Sequence, residues 1–108
     1  MSYKIELTDN FKKEAKKLIK KYASLRTEIA ELGKELAQKP TTGTPLGNDV
    51  YKIRLAIASK NKGKSGGARI ISFVKIIDKT VYLLSIYNKG EKDIISDKEI
   101  EEILEGYI

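Results

Sequence analysis

Histidine and cysteine are both absent from this chain of 108 residues. Without histidine, the usual general base at neutral pH and the commonest transition-metal ligand are missing. Any proton transfer must then use lysine, tyrosine, aspartate, glutamate or groups of the substrate itself. Without cysteine there is neither a disulfide framework nor a zinc ribbon. Long apolar runs are missing too: nothing approaches the roughly 18 residues of a membrane span, and the start, MSYKIELTDN, has no apolar signal core. The expectation is a cytoplasmic protein that needs no membrane, no metal and no small-molecule cofactor. Repeats and low-complexity tracts are also lacking. With 41% hydrophobic and 33% charged residues, residues 1–108 are expected to form one domain with a real core.

What the chain has is positive charge, and it is concentrated. The sequence holds 21 Lys plus Arg against 15 Asp plus Glu, a net charge of +6. The stretch 51–69, YKIRLAIASKNKGKSGGAR, contains Lys52, Arg54, Lys60, Lys62, Lys64 and Arg69 and no carboxylate. Its charge equals that of the whole chain, so all other residues together cancel. A patch of that kind is the electrostatic footprint of a phosphate-rich partner.

Periodicity supplies the scaffold. Residues 2–7 alternate as a strand does, with Tyr3, Ile5 and Leu7 on one face. Thr8 or Asp9 is positioned to cap a helix whose apolar stripe is Phe11, Ala15, Leu18, Ile19 and Tyr22. Its other face is rich in lysine. That face can be a plain solvated surface, or Lys13, Lys17 and Lys20 can form a second, salt-sensitive contact to nucleic acid. Ser24 opens a second helix with Leu25, Ile29, Leu32 and Leu36, which gives an antiparallel helix hairpin. Pro40 ends it, and residues 41–47 read as loop. Three strands follow, over 49–58, 68–77 and 81–87, the middle one apolar enough to be buried on both faces. Ser96 and Glu99 form a capping box for a short final helix with Ile100, Ile103 and Leu104. The expected fold is α+β: a small, mainly antiparallel sheet in the order β-α-α-β-β-β-α, with the helix hairpin on one face.

The side-chain period of two puts Lys52 and Arg54 on one sheet face, opposite the side that needs the helices. If the three strands are neighbours, Arg69 and Lys89 converge with them on one open surface. Such a cluster binds a phosphodiester and balances the charge that builds on it during cleavage. A lysine crowded by cations also gives up its proton more readily, and so can serve as a base. Binding without catalysis would use the same surface. Lys60, Lys62 and Lys64 sit on a Gly-rich connection suited to steering and gripping rather than to fixed geometry. GKSGG shares Gly-Lys-Ser with a phosphate-binding loop, but it lacks the earlier glycine and precedes a strand, so a flexible hairpin tip is the better reading.

The runs VYKIRLAI, GKSGGARIISFV and VYLLSIYNKGEKDIIS resemble the RelE/ParE superfamily of bacterial toxin–antitoxin toxins, with GKSGGARII closest to its HigB-like branch. The resemblance spans about residues 3–105. It implies a RelE-like fold and a metal-independent mRNA endonuclease that cuts messenger RNA in the ribosomal A site, neutralised by a cognate antitoxin protein. Carried over by position, the catalytic basic residues fall on Lys52, Arg54, Arg69 and Lys89. The RelE branch carries a tyrosine in the C-terminal segment where Ile95 stands here. Tyr87 can fill that role or can be a packing residue. Arginine at 54 cannot act as a base, which leaves Lys52 for that task. The ParE branch shares the fold and acts by binding DNA gyrase; Lys52, Arg54 and Arg69 together favour the nuclease.

Overall fold

Thr8 decides where the chain leaves its first strand. Its backbone is extended, and its hydroxyl accepts the Phe11 N–H at 3.0 Å, which caps the helix behind it. In this computed structural model, which describes residues 2–60, 66–91 and 94–107, eight main elements follow one another. They are β1 (Lys4–Leu7), α1 (Asp9–Lys21), α2 (Leu25–Gln38), β2 (Thr44–Gly47), β3 (Val50–Leu55), β4 (Ala68–Lys75), β5 (Thr80–Asn88) and α3 (Asp97–Leu104). The strands make one five-stranded sheet in the order β1-β5-β4-β3-β2. β1 joins β5 in parallel, and the other pairings are antiparallel. This is the expected α+β architecture with one strand more.

Each face of the sheet has its own apolar layer. On one side α1 and α2 bury Phe11, Leu18, Leu25 and Leu36 against Ile53, Ile70 and Ile86. Each such side chain contributes about 1.5–3 kcal/mol by leaving water. On the other side Ile95, Ile100 and Leu104 pack on Val50, Ile71, Phe73, Leu84 and Tyr87. β4 is covered on both faces, and Ala68 to Val74 are all buried, as its continuous apolar sequence requires.

Several expected boundaries move. The loop expected over 41–47 contains β2, whose four residues are all exposed. An edge strand can carry Pro45 because its outward N–H needs no partner, and nothing in its burial alternates to betray it. The strand expected over 49–58 ends at Leu55 and is followed by a 3₁₀ turn at Ala58–Lys60. The next ends at Lys75 and continues as a 3₁₀ turn at Ile76–Asp78, reversed by Lys79 with φ 49°. Ser24 stands at the start of α2 without capping it; its hydroxyl donates to Glu28 Oε1 at 3.2 Å instead. Ser96 forms the expected capping box with Glu99.

The larger correction concerns the cationic face. It is not one open surface, because α3 lies on it and closes the second apolar layer.

Candidate phosphodiester site on the cationic sheet face

Strand register brings three of the expected site residues into a row. Arg54 of β3 stands opposite Arg69 of β4, and Arg69 stands opposite Tyr87 of β5. Opposed residues in an antiparallel sheet share a face, with Cβ atoms about 5 Å apart. Lys52 lies two residues back on β3 and therefore on the same face, opposite Ile71. Lys89 follows Tyr87 by two residues, and its N–H donates to the Gly67 carbonyl at 3.1 Å, extending the ladder beyond β5.

Exposure divides this set. Arg54 and Lys89 are exposed and Lys52 is half-buried, whereas Arg69 is only 3% exposed and Tyr87 5%. Tyr87 is buried in the apolar layer that Ile95 and α3 close. The face is thus an exposed cationic rim around a covered centre. Arg69 donates from Nη1 to the Ala68 carbonyl at 3.1 Å. Its guanidinium places a positive charge where the surrounding dielectric screens it weakly.

One glycine of GKSGGAR, Gly67, acquires a role at this point. A Cβ on Gly67 would run into the Leu55 carbonyl oxygen and approach the Ala56 Cα at 3.1 Å. Only glycine lets the start of β4 close on the end of β3, and that approach sets Arg69 against Arg54.

The segment bearing Lys89 is held from the helix side. Asn88 Nδ2 donates to the Tyr22 hydroxyl at 3.3 Å, and Gly90 N–H donates to Asn88 Oδ1 at 3.1 Å. Lys21 pairs with Glu91 at 3.2 Å. The hydrogen bond that Lys21 donates to Glu91, with the Tyr22 hydroxyl and the Glu91 charge nearby, raises the Lys21 pKa above its ordinary value.

Of the other expected contacts, Lys13, Lys17 and Lys20 are all exposed on α1. Lys17 borders a recess of about 300 Å³ with Glu14, Ile86, Tyr87 and Asn88, so the lysine face reaches the end of β5. Lys20 turns the other way and lines the groove between α1 and α2. Lys60 ends the 3₁₀ turn after β3, and Lys62 and Lys64 lie outside the described residues. Ile95, 8% exposed, has no hydroxyl to offer and serves the apolar layer. Sequence reasoning passed over Glu14, whose carboxylate Oε1 accepts from Ser85 Oγ at 2.7 Å and Asn10 Nδ2 at 2.8 Å. Its trace was legible: Glu14 sits three residues after Phe11 and four before Leu18, inside the apolar stripe of α1.

The helix hairpin thus covers one face of the sheet, and the other face carries Lys52, Arg54 and Arg69. Residues 3–106 match the model of the RelE toxin of the RelE/RelB toxin–antitoxin system. The chain belongs to the RelE toxin family. Its fold is similar to that of a free mutant of Escherichia coli toxin RelE, with a TM-score of 0.66 and 19% identity over 100% of both chains. It is also similar to the toxin in the intact E. coli RelBE complex, with TM-score 0.61 and 20% identity over 81% of this chain and 96% of that one. The RelBE2 toxin–antitoxin complex of Mycobacterium tuberculosis gives 0.60 and 16%, covering 82% and 99%.

Proposed function

We propose that this protein is the toxin of a type II toxin–antitoxin pair and that it cuts messenger RNA in the ribosomal A site without a metal ion. The observation that carries this reading is the row Arg54–Arg69–Tyr87 across three adjacent strands, with Lys52 beside it. In the reaction the RNA 2′-oxygen attacks the neighbouring phosphorus. The P–O2′ bond forms as the P–O5′ bond breaks, leaving a 2′,3′-cyclic phosphate and a free 5′-hydroxyl. Lys52 takes the 2′ proton, and Arg54 and Arg69 balance the charge growing on the phosphoryl oxygens. Tyr87 and Lys89 are the groups on this face able to return a proton to the leaving oxygen. Lys60, Lys62 and Lys64, with Lys13, Lys17 and Lys20, grip ribosomal RNA through its backbone. The protein acts in the cytoplasm and is silenced by a cognate antitoxin protein.

The test is controlled expression followed by primer-extension mapping of transcripts. Fresh 5′ ends within translated reading frames, together with arrested growth, are expected. Lys52→Ala is expected to lower cleavage by about 10²–10⁴-fold, the usual contribution of a general base. Full toxicity of a folded Lys52→Ala variant would remove lysine from that role. The burial of Arg69 and Tyr87 favours a second reading, in which the same rim binds gyrase or nucleic acid without cutting. That reading predicts growth arrest with no new 5′ ends.

A further inference from the structure

The register of β4 and β5 changes partway along. Phe73 opposes Tyr82 and Ser72 opposes Leu83, but Ile71 opposes Ser85, so Leu84 is an extra residue in β5. Side chains alternate with a period of two, and one inserted residue reverses which face every later residue takes. Without it the same register would set Ile86 opposite Arg69 and turn Tyr87 toward the helix hairpin. With it, Tyr87 stands opposite Arg69, while Ile86 enters the layer beneath the helices.

A bulge takes backbone groups off the ladder, and those groups need partners. The first turns of α1 provide them. The Thr8 N–H continues the parallel β1 ladder onto the Leu83 carbonyl at 3.2 Å, and Thr8 Oγ1 donates to the Leu83 and Leu84 carbonyls at 3.1 and 3.2 Å. Asn10 Nδ2 donates to the Leu84 carbonyl at 2.9 Å. Glu14 closes the set: its Oε1 accepts from Ser85 Oγ at 2.7 Å, from the Ile86 N–H at 3.3 Å and from Asn10 Nδ2 at 2.8 Å. A carboxylate oxygen receiving three donors from two elements is a clamp, and it sits on the helix side of the sheet.

We infer that Glu14 is a positioning residue: with Thr8 and Asn10 it holds the one-residue bulge that turns Tyr87 and Lys89 onto the face of Arg69 and Arg54. The link to catalysis rests on reading that face as the cleavage site. The link to register does not, and the two are tested separately.

Purified wild type, Glu14→Ala and Glu14→Gln are compared in cleavage of transcripts on programmed ribosomes and in amide-exchange and NOE spectra. Leu32→Ala, a core truncation on α2, is the control for lost stability. In Glu14→Ala the Ile86 amide is expected to lose protection and the Arg69–Tyr87 cross-strand NOE to weaken. Its kcat is expected to fall about 10–100-fold with KM nearly unchanged, the effect of misplacing groups by about an ångström. Glu14→Gln keeps a carbonyl acceptor and is expected to recover most of both signals. Leu32→Ala is expected to lose activity only in proportion to its unfolded fraction. The inference is overturned if Glu14→Ala keeps the Ile86 protection and the NOE, or if its kcat per folded molecule equals that of wild type. Should the wild type leave transcripts uncut on ribosomes, the cleavage reading falls and the spectra alone decide the clamp.

Discussion

At the scale of single residues, the candidate site turns on Arg69 and Gly67. Arg69 is a buried cation, and a lysine there would keep the charge only while protonated and would lose the planar five-donor fork. Arg69→Lys is therefore expected to fold and to cleave about 10²-fold more slowly, comparable to removing one transition-state donor. Wild-type rates in that variant would show that charge alone suffices. Gly67 sets the spacing on which Arg69 relies. In Gly67→Ala the new methyl meets backbone at Leu55 and Ala56, which cannot swing aside as a flexible side chain would. A loss of about 1–3 kcal/mol is expected from such overpacking, read as a lower urea midpoint with an unchanged slope. An unchanged midpoint would mean that β3 and β4 separate easily, and with them Arg54 and Arg69.

At the scale of elements, α3 controls how much of the cationic face meets solvent. Eight residues are too few for a helix to stand alone, so α3 depends on its packing and on its start. That start is the capping box: Ser96 Oγ accepts the Glu99 N–H at 3.1 Å, and Glu99 Oε1 accepts the Ser96 N–H at 3.3 Å. Ser96→Ala is expected to cost about 1 kcal/mol and to speed amide exchange in α3 ahead of the rest of the chain. Exchange that rose equally in β4 would show that α3 opens only with global unfolding. This box was legible in SDKE, as were both long helices from their apolar spacing and β4 from its unbroken apolar run. β2 was not, because four exposed residues with Pro45 and Gly47 give no alternation. The covering of the cationic face is hidden along β3 itself, where Lys52 and Arg54 alternate as a solvent face does. Ile71 and Phe73, on the same face of the neighbouring strand, already required a lid. The bulge was illegible for a different reason: an inserted residue changes register without changing composition, and only Glu14, a carboxylate within an apolar stripe, hinted that β5 needed a polar partner.

For the whole molecule the governing quantity is charge, since +6 is carried by a chain whose other residues cancel outside the stretch 51–69. Those cations fall into two groups by position in the chain. Lys52, Arg54 and Arg69 are fixed on strands, where the register determines what they face. Lys62 and Lys64 belong to the connection between β3 and β4, and in sequence they lie among glycines. If the connection grips RNA and the strands act on the phosphodiester, the two groups separate under salt. Affinity for ribosomes is expected to fall linearly with the logarithm of salt concentration. Lys62→Gln and Lys64→Gln are each expected to flatten that slope by about 0.7–0.9, the release of counterions from one phosphate contact. Their cleavage rate at saturating ribosomes should stay at the wild-type value, while Lys52→Ala should leave the slope nearly as it is and lose the rate. A rate loss at saturation in Lys62→Gln and Lys64→Gln would place catalysis on the connection and leave the ordered row of Arg54, Arg69 and Tyr87 as a docking surface.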